Sequence, residues 1–98
     1  MIHGILHQRT TSPSGDLYRM IEIYGEERDA IYVKVGNVEG DGVVMDDDLK
    51  VAKNANKALN ENGYKVVANP FMPPLSRLTP EETTLIAGSF AVERIVND

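Results

Sequence analysis

The chain has 98 residues, 42% of them apolar, and its 10 Lys and Arg against 15 Asp and Glu leave a net charge of −5. There is no cysteine, which excludes disulfides, thiolate nucleophiles, iron–sulfur clusters and the common structural zinc sites, and points to a reducing, cytoplasmic setting. The acidic balance lacks the counterion-release term that drives non-specific nucleic-acid binding. No stretch approaches the ~18 apolar residues of a membrane span, and the opening residues lack the basic n-region of a secretory signal.

This length fits a single domain over residues 1–98. Leu, Ile, Val and Phe together number 26, above the roughly 20% below which chains stay disordered, so a packed core is expected. Residues 2–9 mix apolar and polar types without helical spacing and predict a strand. The run from Thr10 through Ser12, Pro13, Ser14 and Gly15 to Asp16 is a dense turn signal. From Leu17 to Tyr24, Ile21 and Ile23 alternate with Glu22, the period of a strand. After the polar connector of residues 25–29, Ile31, Val33 and Val35 alternate with Tyr32 and Lys34 in the clearest strand of the chain. Gly40-Asp41-Gly42 tolerates positive φ and predicts a hairpin into a short strand over Val43 to Met45.

Asp46 is positioned as an N-cap, with Asp47 and Asp48 in a first turn where the helix dipole favours negative charge. A helix from about 47 to 62 follows, stopped by Gly63. Its apolar face, Leu49, Val51, Ala52, Ala55, Ala58 and Leu59, is mostly alanine and lets the helix approach a sheet closely. Tyr64 to Ala68 reads as another strand. Pro70, Pro73 and Pro74 forbid helix across residues 69–78 and predict a long ordered connector. Thr79 as N-cap, Pro80 at N1 and Glu82 at N3 complete a capping box and predict a last helix from about Pro80 to Val96. The expected fold is α+β: an antiparallel β-meander of three to five strands packed by two helices, in the order β-β-β-(β)-α-β-α.

Five groups of residues carry possible chemistry. His3 and His7 have the four-residue spacing of a helical metal pair, but in a strand they stand about 13 Å apart at about 3.3 Å per residue, too far to share an ion. Glu39, Asp41, Asp46, Asp47 and Asp48 offer hard-cation ligands without the spacing of a calcium loop, and turn and cap roles account for them. No metal or cofactor is therefore expected. Lys50, Lys53 and Lys57 form a stripe that suits phosphates or the solvated face of an amphipathic helix, and no aromatic residue interleaves with it. Phe71 and Met72 are large apolar groups in the proline-rich connector, fitted either to a partner or to a lid over the core.

The predicted last helix carries the fifth group. Leu85, Ile86, Phe90, Val92, Ile95 and Val96 sweep far more than the ~100° stripe one sheet requires, with Gly88 among small residues on the remaining side. The expectation is a helix that packs on its own sheet and also meets a second copy of the chain through Ile86, Phe90 and Ile95.

No phosphate-binding loop, nucleophile elbow or zinc-protease pattern is present, and both histidines lie near the N-terminus, which leans the reading away from an enzyme. Three functions compete. The first is a small acidic non-catalytic protein of regulator, adaptor or inhibitor type, a homodimer acting through Phe71, Met72, Ile86, Phe90 and Ile95. The second is a small-molecule binder or enzyme with a site at a subunit interface near residues 69–78, lined by His3, His7, Tyr18, Tyr24, Tyr32 and Arg77. The third, disfavoured by net charge, is a nucleic-acid binder using Lys50, Lys53, Lys57 and Lys65.

Overall fold

A computed structural model describes residues 1–12 and 15–96. Pro13 and Ser14, in the turn read over 10–16, lie outside the described residues. The elements run β1 (Ile2–Thr11), β2 (Asp16–Gly25), β3 (Asp29–Glu39), β4 (Gly42–Met45), α1 (Asp48–Glu61), β5 (Tyr64–Val66), α2 (Pro80–Leu85) and β6 (Ser89–Arg94). The fold is the expected α+β meander with two helices. Its antiparallel sheet has the order β4-β3-β2-β1-β6-β5.

Strand alternation divides the side chains between two faces. The inner face holds Leu6, Ile21, Ile23, Ile31, Val33, Phe90, Val92, Tyr64 and Val66, all buried. Val51, Ala55 and Leu59 of α1 and Leu85 of α2 join them in one core, so both helices lie on this face. Each fully buried Ile or Leu contributes about 1.5–3 kcal/mol. The alanine-rich stripe of α1 is the buried side of the helix, as its spacing predicts. The N-cap is Asp47 rather than Asp46: its side chain accepts the Lys50 N–H at 2.8 Å, while Asp46 pairs with the Lys50 ammonium at 3.4 Å.

The sheet curls around α1. Glu27, in the turn between β2 and β3, accepts hydrogen bonds from the Tyr64 hydroxyl of β5 at 2.9 Å and from Arg94 Nε of β6 at 3.0 Å. Two strands separate β2 from β5, so a flat sheet would hold them roughly 14 Å apart at about 4.8 Å per strand. The Arg94 guanidinium also lies 4.6 Å over the Tyr64 ring. Bonding from Arg94 and Tyr64 holds the Glu27 carboxyl below the usual carboxylate range. Burial and the Glu27 bond push the Tyr64 hydroxyl up.

The C-terminal region departs from expectation. The capping box forms as read: Thr79 Oγ1 accepts the Glu82 N–H at 3.2 Å, and Glu82 Oε1 accepts the Thr79 N–H at 2.8 Å. The helix, however, ends at Leu85 instead of continuing to Val96. Gly88 takes φ +113°, a value open to glycine and strained for any other residue, and turns the chain into β6. From there Phe90 and Val92 point inward between outward Ser89, Ala91 and Glu93, the period of a strand. Phe90 lies across Gly4 of β1, where the absence of a side chain admits the ring. The wide apolar sweep of residues 85–96 on a helical wheel is the mark of a strand, since residues 89–94 alternate with period two.

Candidate functional site

With both helices on the inner face, the outer face of the sheet is crossed by no helix among the described residues. Alternation places His3, Ile5 and His7 of β1, Tyr18, Met20, Glu22 and Tyr24 of β2, and Tyr32 and Lys34 of β3 there, with Ser89 and Ala91 of β6 beside them. Five of the six residues suggested above for a ligand site, His3, His7, Tyr18, Tyr24 and Tyr32, therefore share one surface. Arg77 is apart, in the connector between β5 and α2.

These side chains hold one another in place. The His3 and Tyr24 rings stack with centroids 5.4 Å apart, and the Tyr24 hydroxyl shares a 3.1 Å hydrogen bond with Ser89 Oγ. His7 Nε2 donates to Glu22 Oε1 at 2.8 Å, and Lys34 lies 3.6 Å from Asp16. The two histidines are thus engaged with separate partners on β2. Tyr32 is 59% exposed. Beside it His7, Arg9, Thr11, Met20 and Tyr32 line a shallow depression of about 310 Å³. The surface is aromatic and charge-balanced, with Arg9 and Lys34 offsetting Asp16 and Glu22, in a molecule that is acidic overall.

On the inner side, at the mouth of the curl, Leu6, Gln8, Arg19, Asp48, Val51, Leu85, Ile86 and Gly88 line a second cavity of about 230 Å³. Arg19 Nε donates to the His7 carbonyl at 2.7 Å. Burial lowers the Arg19 guanidinium from its ordinary value, partly opposed by Asp48.

The residues expected to form a protein interface are dispersed. Phe90 is 4% exposed and belongs to the core. Ile86, just past α2, is half-buried against that core, and Ile95 follows the end of β6. Phe71 is 93% exposed, whereas its neighbour Met72 is half-buried. The connector that carries them is tied to α2, the Asn69 N–H to Thr84 Oγ1 at 2.9 Å and the Leu75 N–H to Thr83 Oγ1 at 3.0 Å. The helix expected to carry self-association stops at Leu85, so Phe90 and Ile95 lie beyond it, in β6 and just after β6.

The lysine stripe is matched by carboxylates. Lys50 lies 3.4 Å from Asp46, Lys53 3.3 Å from Glu82 and Lys57 3.9 Å from Glu61. The Glu82 pair joins α1 to α2. Burial alone would raise the Glu82 carboxyl, but bonds from the Thr79 N–H and the Lys53 ammonium outweigh it and hold the group below the usual range.

No protein-family description, characterised protein or solved structure matches the chain.

Proposed function

We propose that the chain is a non-catalytic protein-binding module that self-associates through the outer face of its sheet. The observation that carries this reading is the bare, charge-balanced surface of Tyr18, Tyr24, Tyr32, His3 and Met20 on an otherwise acidic molecule. Interface cores favour tyrosine and methionine and avoid unbalanced charge. A two-fold contact sets a surface against its own copy. Any net charge on such a surface repels itself, so in a chain of net charge −5 a neutral face is the one suited to the contact.

Size-exclusion chromatography with light scattering tests the reading. The wild-type chain should pass from twice its mass of 10.8 kDa toward a single chain on dilution. Tyr32→Glu should weaken the dimer at least about tenfold, the scale of losing one tyrosine anchor and introducing charge, while leaving the circular dichroism spectrum intact. A single-chain mass at every concentration would overturn it.

The depression beside Tyr32 supports a second reading, a small-molecule site on the same face rather than at residues 69–78. A metabolite at 100 times its dissociation constant would add about 2.7 kcal/mol of apparent stability in a thermal-shift screen.

A further inference from the structure

We propose that the free edge of β4 binds an extended segment of another protein as an added strand, one with two apolar residues at alternate positions between basic residues. This surface is separate from the outer face and does not rest on the reading given for it.

β4 is the first strand in the sheet order, so one of its edges meets no neighbouring strand among the described residues. The Asp46 N–H bonds the Val35 carbonyl at 2.8 Å. In the alternating antiparallel ladder, Asp46, Val44 and Gly42 therefore turn their backbone groups toward β3, and Val43 and Met45 turn theirs outward. Two N–H and two C=O groups are thus presented at strand spacing, the template that proteins ordinarily blunt with lysine, proline or a covering loop. β4, Gly42–Met45, contains neither lysine nor proline. Val43 and Met45 are 57% and 51% exposed, and an incoming strand would set its own apolar side chains beside them.

The ends of the edge select the occupant. Glu39 and Asp41 lie at the hairpin end, and Asp47 and Asp48 at the helix end. If a second copy paired edge to edge through the same outward groups, Asp41 of each chain would face Asp47 of the other, and like charges directly opposite destabilise a strand pair. A foreign strand with Lys or Arg at both ends meets those carboxylates favourably. The length of the edge fits a heptapeptide with basic residues at positions one and seven and apolar residues at three and five.

Fluorescence anisotropy with a labelled Lys-Thr-Val-Thr-Val-Thr-Lys peptide tests this on the full chain. Binding is expected, with at least tenfold weaker binding of the same peptide carrying Glu at both ends. In NMR hydrogen exchange, the amides of Val43 and Met45 should gain protection on peptide addition, while that of Val44, already bonded to β3, should not change. Val43→Pro removes an outward donor without breaking a bond to β3 and should abolish binding; the double variant Glu39→Lys, Asp41→Lys reverses the charge at one end of the edge only and should bring the two peptides to similar affinity. No anisotropy change at millimolar peptide, equal binding of both peptides by the wild-type chain, or protection elsewhere would overturn the proposal. So would a dimer that Val43→Pro dissociates, since the occupant would then be a second copy. Tyr32→Glu should leave peptide binding unchanged, which separates failure of this proposal from failure of the outer-face reading.

Discussion

Replacing Gly4 by alanine probes the contact that seats β6 in the sheet. A methyl at Gly4 would stand 2.5 Å from Phe90 Cε2 and 2.8 Å from Cζ, whereas ordinary contact begins near 3.4 Å. The ring must retreat by nearly an ångström within a close-packed core. Overpacking of this kind costs about 1–3 kcal/mol, and removing a strand glycine returns about 0.5–1 kcal/mol of backbone entropy. The expected net loss is about 1–2 kcal/mol, which for a domain of this size lowers Tm by roughly 5–15 °C. Urea unfolding followed by circular dichroism measures it. The cause is isolated by repeating the substitution in a Phe90→Leu background, where the overlapping ring atoms are gone and Gly4→Ala should be neutral or stabilising. A Gly4→Ala protein of wild-type stability, or one with equal losses in both backgrounds, would refute the contact and with it the strand assignment of residues 89–94.

Two further substitutions bear on the same region. Gly88→Ala changes sign with the structure: inside a helix it would stabilise by about 1 kcal/mol, whereas at φ +113° with open space around the added carbon it should destabilise by about 1–2 kcal/mol through backbone strain alone. A raised Tm would restore the helix. Glu82 is held below its unfolded value, so its stabilisation is present above the unfolded pKa of about 4.3 and is lost as pH falls through the lower native one. Glu82→Gln should cost about 1–2 kcal/mol at pH 7, and the gap to wild type should narrow on acidification from about pH 5; parallel pH profiles would count against the Thr79–Glu82–Lys53 linkage.

The elements that sequence made legible are those whose signals are local. Period-two alternation at Ile21 and Ile23 and at Ile31, Val33 and Val35 marked β2 and β3, the glycines flanking Asp41 marked the hairpin, and the Thr79 to Glu82 capping box marked the start of α2. The end of α2 was harder to read. A helix started by a strong cap and followed by apolar residues gives no local reason to stop, and Gly88 is as readable as a packing contact as it is as a turn. The unusual breadth of the apolar wheel was itself a sign that 3.6 was the wrong period, since Phe90 and Val92 fall on one side once the period is two. The outer face depended on that outcome. His3, His7 and the tyrosines were recognisable as unusual side chains between apolar neighbours, but whether they lay bare turned on how many helices there were to cover them. The β4 edge was hidden for another reason, because strand order is a property of long-range pairing that no local pattern encodes.

The position of β1 between β2 and β6 has a consequence for how the chain reaches its native state. One side of β1 is completed by β2 across a short loop, while the other waits for β6, with Ile2 opposite Val92 and Ile5 opposite Ser89. As the chain leaves the ribosome, the β1–β4 meander can form early with β1 as a temporary edge and Gly4 an empty slot in its inner surface. Only after residue 94 has emerged can β6 close that edge and Phe90 occupy the slot. Such sequence-distant pairing slows folding and prolongs exposure of an open strand. β6, made after both of its neighbours, thus joins β5 to the meander, and the interval before it arrives is the one most open to misassembly.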